Sequence, residues 1–473
     1  MPSSGRSLLP RSKGKRLLLA LGVICLVIAA GAVAAVIYKK DRTGSIYHRG
    51  ARFTPQANPT LPASTPKEPF SWPIYGYTTD HTRYFPASSK VRPPFRQMWV
   101  LNRGALLEFP PVIYGEHLFQ LADNGNLASI DKRSGHTVWQ KHIGKLSAST
   151  PAVTADAVYA TVLNSGHPSK PGRVVAVSSK TGDILWSRYL PSPSESSPLL
   201  DEGRIFFGSQ AGTVYALSAH DGHVIWSYHA AGSVKASPTL SDGKLYFGDY
   251  SGHLQAISEK TGKLVWRSGS AGALIGSGTF YSTSAVFYGR VFLGNTDGRI
   301  YAYDAETGKL DWAVQTGAYV YSSPAVTNAP GLGPTVYIGS YDGTFYALNA
   351  RTGAIEWRFN AHGRISGSPT IVGNIVYFSD LGQHNTFGLG ISTGRLVFEK
   401  QTGAFDPVVS DGRDIYLNGY TGLFGLEPLD VEPEHEPAGS KARAKEKRAP
   451  TSTGPGLPVL TQVQPPPAGP TQP

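Results

Sequence analysis

The segment SEKTGKLVWR, residues 258–267, contains the pattern that decides the fold: a small polar residue, a glycine, and an aromatic residue four positions after the glycine. Gly262 suits a turn that a Cβ would disfavour, and Trp266 ends a short strand-like run. The same spacing occurs seven times, and Trp99 continues the series without its glycine. The glycines are Gly135, Gly182, Gly222, Gly262, Gly308, Gly353 and Gly394, and the aromatic residues that follow them are Trp139, Trp186, Trp226, Trp266, Trp312, Trp357 and Phe398.

These units recur every 40 to 47 residues. Each also carries a hairpin pattern, such as FFGSQAGTVYALS at 206–218, in which strand-like alternation surrounds a glycine turn. Small residues before a proline open most units. Four short strands per repeat at this period predict the blades of a β-propeller.

The two ends of the repeat are incomplete in complementary ways. Trp99 has the pattern of the fourth strand of a unit, but the first three strands of that unit are missing before it. The last unit, 406–427, has three strands and no tryptophan. We therefore expect an all-β fold of eight four-stranded blades. The ring is closed by the N-terminal strand around Trp99, and closure removes free sheet edges.

Residues 17–37 read LLLALGVICLVIAAGAVAAVI and carry no charge. As a helix they would span about 32 Å, which is enough for a bilayer core. Basic residues precede them in excess, which favours a cytoplasmic N-terminus. The alternative is a cleaved signal peptide. The predicted segments are a cytoplasmic basic tail at 1–16, a transmembrane helix at 17–38, a Pro-rich linker at 39–69, the propeller at 70–427 and a disordered Pro-rich tail at 428–473.

Composition excludes several classes of protein. Of the net charge of +11, +7 lies in residues 1–42, and no basic stripe of the kind that binds nucleic acid is present. Cys25 is the single cysteine, so a disulfide framework, a cysteine zinc site and an iron–sulfur cluster are excluded. Hydrolase and phosphate-loop motifs are missing. The sequence therefore predicts no catalytic residue and no metal site.

The repeat resembles the pyrroloquinoline-quinone-type (PQQ-like) propellers, and the opening segment WPIYGYTTDHTRYFP at 72–86 is similar to the one that precedes their first blade. The resemblance implies one of two functions: a quinone- and calcium-dependent dehydrogenase, or a cofactor-free scaffold or sensor outside the cytoplasm. Many of the dehydrogenases carry adjacent cysteines and long insertions, and this repeat body has neither. We therefore favour the scaffold function and expect the protein to bind no cofactor.

Candidate site residues come from breaks in the repeat. The residues before the inner-strand proline align as Pro110, Thr150, Ser197, Ser237, Gly278, Ser323, Ser368 and Asp406. Asp406 alone is ionisable, so it is a candidate cation ligand or base near the channel. Two residues before this position, Glu195 and Lys235 are expected to pair at the channel mouth. Gln383, His384 and Asn385 form a polar loop tip where other units have a plain hairpin, and are possible contact residues.

We therefore expect a single-pass membrane protein that displays the propeller outside the cytoplasmic membrane and binds a protein or cell-envelope partner. A membrane-tethered dehydrogenase with PQQ and calcium is the alternative. A glycan-binding or sensor domain is a second alternative.

Overall fold

The computed structural model describes residues 22–28, 31, 44–48, 50–60, 69–271 and 278–429. The second unit of the chain, 431–473, lies outside the described residues, and so does the predicted tail, 428–473, beyond Leu429; Pro428 ends the last blade strand. Within the described ranges the strands that precede the first blade are β1 (Ile46–Tyr47), β2 (Ser71–Trp72), β3 (Tyr84–Phe85) and β4 (Phe95–Asn102).

The blade strands follow in order. They are β5 (Val112–Tyr114), β6 (His117–Leu121), β7 (Asn126–Asp131), β8 (Thr137–His142), β9 (Ala152–Val153), β10 (Ala157–Val162), β11 (Gly172–Ser178), β12 (Ile184–Leu190), β13 (Leu199–Asp201), β14 (Arg204–Gly208), β15 (Thr213–Ser218), β16 (Val224–His229), β17 (Thr239–Ser241), β18 (Lys244–Gly248), β19 (His253–Ser258), β20 (Leu264–Gly269), β21 (Ala285–Phe287), β22 (Arg290–Gly294), β23 (Arg299–Asp304), β24 (Leu310–Gln315), β25 (Ala325–Ala329), β26 (Gly333–Gly339), β27 (Thr344–Asn349), β28 (Ile355–Asn360), β29 (Thr370–Val372), β30 (Ile375–Ser379), β31 (Thr386–Gly390), β32 (Leu396–Lys400), β33 (Val408–Ser410), β34 (Ile415–Asn418) and β35 (Gly422–Pro428).

The blade strands form eight antiparallel sheets, which confirms the predicted eight-bladed propeller. Blades 1 to 7 each use four consecutive strands, from β5–β8 to β29–β32. Blade 8 consists of β33, β34 and β35 with β4 as its outer strand, and Gly425 pairs with Trp99. The ring is therefore closed by the N-terminal strand, as the incomplete ends of the repeat predict.

At seven of the eight interfaces, a blade is locked to the next by the tryptophan and glycine of the repeat; blade 7 instead packs Phe398 against Phe95 of blade 8. Trp226 of blade 3 donates its Nε1 hydrogen to the carbonyl of Glu259 in blade 4, at 3.0 Å. Its ring lies over Gly262 of blade 4, where a Cβ would come within 2.7 Å of it. Gly262 also has a φ of +67°. The same bond, at 2.9–3.1 Å, is made by Trp99, Trp139, Trp186, Trp226, Trp266, Trp312 and Trp357.

The segment 71–86, which we call the plug, crosses one end of the channel and bonds the innermost strands of several blades. β2 pairs with β5 in blade 1, and β3 runs parallel to β29 in blade 7. Between them, plug carbonyls accept hydrogen bonds from blades 2, 4, 5, 6 and 7 at 2.8–2.9 Å; the donors are Val153, Leu240, Val286, Val326 and Ile371. The plug thus closes one end of the channel.

Part of the predicted Pro-rich linker, 39–69, packs against the propeller in its described residues. β1 adds a fifth strand to blade 5 by pairing with β24. Phe53 stacks on Tyr288 at 5.2 Å and lies 4.5 Å from the guanidinium carbon of Arg351. Asn58 exchanges two hydrogen bonds with the backbone of Asn328 in blade 6. Aromatic and amide side chains hold this segment, the described residues 44–48 and 50–60, which we call the strap.

Most of the predicted transmembrane segment, 17–38, lies outside the described residues. Residues 22–28 are helical, and no helix in the described part of the chain has the length and apolar character needed to cross a membrane.

If tryptophan and glycine lock neighbouring blades, an alanine at a glycine under a tryptophan ring should destabilise the protein more than an alanine at a glycine elsewhere. Gly262→Ala places a methyl group against Trp226 in a left-handed backbone position, so the free energy of unfolding should fall by about 2 to 4 kcal/mol. Gly243→Ala is the matched control, because Gly243 has a φ of +69° but nothing within 4 Å of its Cβ position. This variant should cost about 1 kcal/mol. Urea denaturation measures both, and equal losses would contradict the lock.

Candidate functional site in the channel

A ring of hydroxyl groups joins the blades around the channel. The backbone N–H of Ser323 donates to the hydroxyl of Ser368 in the next blade at 3.1 Å, and Thr283 donates to Ser323 in the same way at 3.0 Å. Thr150 with Ser197, and Ser237 with Thr283, repeat the contact. The hydroxyl acceptors at these positions account for the Ser-Pro pattern of the repeat. Pro110 of blade 1 offers no such acceptor, and Asp406 is the one ionisable member of the ring.

The sequence analysis assigned the wrong residue to the ring position of blade 5. Thr283, not Gly278, occupies the ring position of blade 5. Gly278 instead packs on the turn between β22 and β23, where a Cβ would lie 2.0 Å from Asn295 Oδ1. Blade 5 has Ser284 in place of the proline, so the marker that aligns the other blades is missing.

Asp406 is buried between the ring and the plug. One of its carboxylate oxygens accepts the backbone N–H of Ser368, and the other lies 3.9 Å from Arg83 Nη1. The Arg83 guanidinium carbon lies 3.9 Å from the centre of the Tyr75 ring, and the Tyr75 hydroxyl contacts Ser368 Oγ at 3.1 Å. Burial raises the pKa of Asp406, and the Arg83 charge opposes that rise. A plug residue thus supplies the counterion for the one acid of the ring.

A cavity of about 250 Å³ lies between the plug and the loops that lead into the innermost strands. Glu195 and Lys235 line it and form an ion pair, with Oε1 and Nζ 2.8 Å apart. Gln210 also donates to Glu195 Oε1 at 2.9 Å. Lys235 Nζ lies 5.0 Å from the centre of the Tyr250 ring.

Glu108 is a cavity carboxylate that the sequence analysis missed. Burial raises its pKa to about 8, and the negative charges of Asp123, Glu195 and Asp406 add to the rise. Lys235 acts in the opposite direction. In the described part of the chain no basic side chain forms an ion pair with Glu108. Burial likewise raises the pKa of Asp123 to about 6.

Tyrosines form an arc along the cavity, from blade 4 to blade 6. The rings of Tyr281 and Tyr321 are perpendicular at 5.5 Å, and Tyr321 meets Tyr341 at 4.8 Å. Tyr250 lies 6.3 Å from Tyr281 at one end, and the exposed Tyr319 lies 6.0 Å from Tyr321. We call these five residues the tyrosine arc. It joins the cavity to the surface.

Several charged and aromatic residues that line the cavity share one position in the repeat, two residues before the ring residue, as Glu195 and Lys235 do. Two residues before each ring position, counting Pro110 and Thr283 for blades 1 and 5, the chain has Glu108, Ala148, Glu195, Lys235, Tyr281, Tyr321, Ser366 and Ala404. All of these except the two alanines line the cavity. Once blade 5 is aligned on Thr283, the sequence therefore contains the signal for the site.

The polar loop tip lies elsewhere. Gln383, His384 and Asn385 are not among the residues that line the cavity. The His384 ring packs 4.8 Å from Tyr420 of blade 8, and Asn385 is buried and bonds Asp380 through its backbone. Gln383 is exposed and stays a possible contact residue.

Among the described residues one acidic group has the spacing of a metal site: Asp201, Glu202 and Glu259. The Arg204 guanidinium lies among the three carboxylates and forms an ion pair with each. The arginine therefore partly balances the charge of the three carboxylates, and their proximity does not indicate a metal ion.

The family model described as outer membrane protein assembly factor BamB matches residues 123–273, 250–330 and 328–420. These matches cover most of the propeller and more than half of the chain. The chain belongs to this PQQ-like repeat family. No curated protein matches it.

Solved structures agree on the fold. BamB from Moraxella catarrhalis is 17% identical, with a TM-score of 0.56 over 71% of this chain and 100% of its own. A europium-containing methanol dehydrogenase is 13% identical, with a TM-score of 0.62 over 76% and 98%. The quinohemoprotein alcohol dehydrogenase ADHIIG from Pseudomonas putida HK5 is 14% identical, with a TM-score of 0.63 over 84% of each chain. At these identities the likeness shows the propeller and leaves its function undecided.

The dehydrogenases among these structures raise the question of whether the cavity suits pyrroloquinoline quinone, a flat tricarboxylate. Glu108, Glu195 and Asp406 already place three carboxylates on the cavity wall. Among its described lining residues Lys235 is the one base, and it pairs with Glu195. A tricarboxylate would add three negative charges without a matching cation, so these residues do not fit the quinone.

The raised pKa of Glu108 predicts how stability depends on pH. Its native pKa of about 8 lies above the unfolded value, so the native state binds the proton more tightly. The free energy of unfolding should therefore fall as pH rises from about 5 to 8, by on the order of 2 kcal/mol after allowance for water in the cavity. Glu108→Gln should flatten this fall.

Asp123→Asn is the matched control for the pH experiment. Because the pKa of Asp123 is about 6, this variant should flatten the profile at its acid end. It should keep the fall caused by Glu108 but move it to somewhat lower pH, since the Asp123 charge adds to the raised pKa of Glu108. Denaturation at a series of pH values tests both variants. A Glu108→Gln profile parallel to that of the unmodified protein would show that this account of Glu108 is wrong.

Proposed function

We propose that this protein is a membrane-anchored propeller that binds an envelope protein at the unplugged end of its channel and acts as a scaffold. The observation that carries this proposal is the tyrosine arc, which runs from the cavity to the exposed Tyr319. Membership of a family described by an outer membrane assembly factor supports a protein partner in the envelope.

The arc has the composition of a protein-binding surface. Tyrosine offers a large apolar ring with a polar tip and loses little conformational entropy when it is immobilised. The rings are held by contacts with each other, and Tyr341 lies 6.0 Å from the guanidinium carbon of Arg364. Aromatic residues and arginine are enriched where binding energy concentrates. A surface that is already ordered before binding lowers the entropic cost of association.

The strap would limit how far the propeller can lie from the proposed membrane anchor. If residues 17–38 span the membrane, six residues, 39–44, connect the span to Ser45, whose hydroxyl accepts the backbone N–H of Gln315 at 3.1 Å. Six extended residues reach about 20 Å. The strap would then hold the rim of blade 5 near the membrane surface and restrict the directions that the unplugged face can take.

The quinone- and calcium-dependent dehydrogenase is the second candidate. Asp406 favours it, since it is a buried acid at the channel ring with a raised pKa. The carboxylates of the cavity wall disfavour this candidate, because the quinone is itself a tricarboxylate. A glycan ligand, the third reading, would also stack on tyrosine rings.

Site-specific crosslinking tests the scaffold proposal in the full-length, membrane-bound protein. A photo-crosslinking amino acid replaces Tyr319, which is 54% exposed, and in a control replaces Val265, which is 48% exposed on β20 of blade 4. We expect a discrete protein adduct from position 319 in the membrane fraction and none of that size from position 265. The same adduct from both positions, or none from position 319 in a folded protein, would contradict the proposal.

A further inference from the structure

We propose that the channel cavity binds an organic cation, an ammonium or guanidinium group, between Glu108 and the rings of Tyr281 and Tyr321. We assign its source to a lysine or arginine side chain of the partner protein. That assignment rests on the proposed function, whereas binding of the cation does not.

The first argument is charge balance. Of the three carboxylates on the cavity wall, Glu195 is paired with Lys235 and Asp406 faces Arg83. Glu108 is left with no basic partner in the described part of the chain, and Asp123, also without an ion pair there, lies close enough to raise its pKa further. A cation beside Glu108 would compensate the charge of its ionised form and take the place of the proton that the raised pKa holds on this carboxyl.

The second argument is the tyrosine arc, whose ends already hold cations of this chain. Lys235 Nζ lies 5.0 Å from the Tyr250 ring centre at one end, and the Arg364 guanidinium lies 6.0 Å from Tyr341 at the other. Lys235 pairs with a tyrosine ring and a cavity carboxylate together, which is the geometry we propose for the ligand. Tyr281 and Tyr321, in the middle of the arc, carry no such contact among the described residues. Tyrosine faces attract cations through their quadrupole.

The third argument is an unsatisfied acceptor in the cavity wall. Asp406 is 4% exposed, and its Oδ2 has no donor at hydrogen-bond distance among the described residues, although the Tyr75 hydroxyl and the Arg83 charge both act on this carboxyl. The Arg83 nitrogen nearest to it is 3.9 Å away, beyond hydrogen-bond distance. Buried carboxylate oxygens usually have a donor, so the cavity offers an acceptor to an incoming N–H group.

The binding test uses the full-length protein in detergent, with Nα-acetyl-lysine methylamide as the probe and Nα-acetyl-norleucine methylamide as its neutral counterpart. At pH 8.5 the probe keeps its charge and Glu108 is largely ionised. The groups that face Glu108 are Asp123, Glu195, Asp406 and Lys235. We expect saturable binding of the lysine probe, measured by ligand-observed NMR, and at least tenfold weaker binding of the neutral compound.

Four variants separate the site from general effects. Glu108→Gln should weaken the lysine probe about tenfold, since it removes the unpaired charge. Glu202→Gln, on the exposed rim, should leave binding unchanged. Tyr321→Leu should weaken the probe several-fold, while Tyr321→Phe, which keeps the ring face, should retain it. This last pair keeps the proposal testable even if Glu108→Gln unfolds the protein.

The outcomes distinguish the cation site from the proposed function. Equal binding of both compounds, no binding of either, or equal effects of Tyr321→Leu and Tyr321→Phe would overturn the cation site. An adduct at position 319 would still support the scaffold in those cases. If the probe binds and Glu108→Gln also lowers the yield of that adduct, the cation is a side chain of the partner. If the probe binds but the adduct is unchanged or missing, a small free amine is the ligand and the partner assignment is wrong.

Discussion

The contact between a tryptophan and the glycine of the next blade is the constraint on which the rest of this structure depends. A blade alone exposes both of its faces, and a single repeat unit cannot bury its apolar surface without its neighbours. The indole covers that surface, donates to a carbonyl of the neighbouring blade, and fits only because the facing residue has no Cβ. Repeated around the ring, this contact sets the angle between blades and hence the width of the channel. The contact also spans the ring closure, since Trp99 of blade 8 donates to the carbonyl of Lys132 and its ring lies over Gly135 of blade 1.

The channel site follows from this ring. Ser and Thr hydroxyls join the innermost strands, and in six of the eight blades the residue two positions earlier lines the same cavity. The plug then closes one end and brings Tyr75 and Arg83 to Asp406. The ring thus places one variable side chain from each of six blades at a common cavity. Two acids, one base and two tyrosines at these positions produce a surface suited to recognition of a cation by charge and aromatic rings together.

The repetitive part of the molecule could be predicted from sequence, because each blade repeats its glycine, tryptophan and hairpin at nearly constant spacing. Blade number, closure at Trp99 and the neighbours Glu195 and Lys235 all follow from that register. The missed features are those that occur once. Thr283 lacks the proline marker, and the strap and plug make contacts with blades distant in sequence, which no local pattern encodes. Glu108 lies at a position whose meaning appears only when all eight blades are aligned.

The central claim is that this propeller is a binding module whose cavity favours a cation over an anionic quinone. The most direct measurement is a titration of the full-length protein with pyrroloquinoline quinone and Ca²⁺, in which the absorbance of bound quinone and the reduction of a dye with alcohols and aldoses are both followed. The account predicts neither saturable binding at high micromolar quinone nor dye reduction. Saturable binding with turnover that is lost in Asp406→Asn would contradict it and would establish a dehydrogenase.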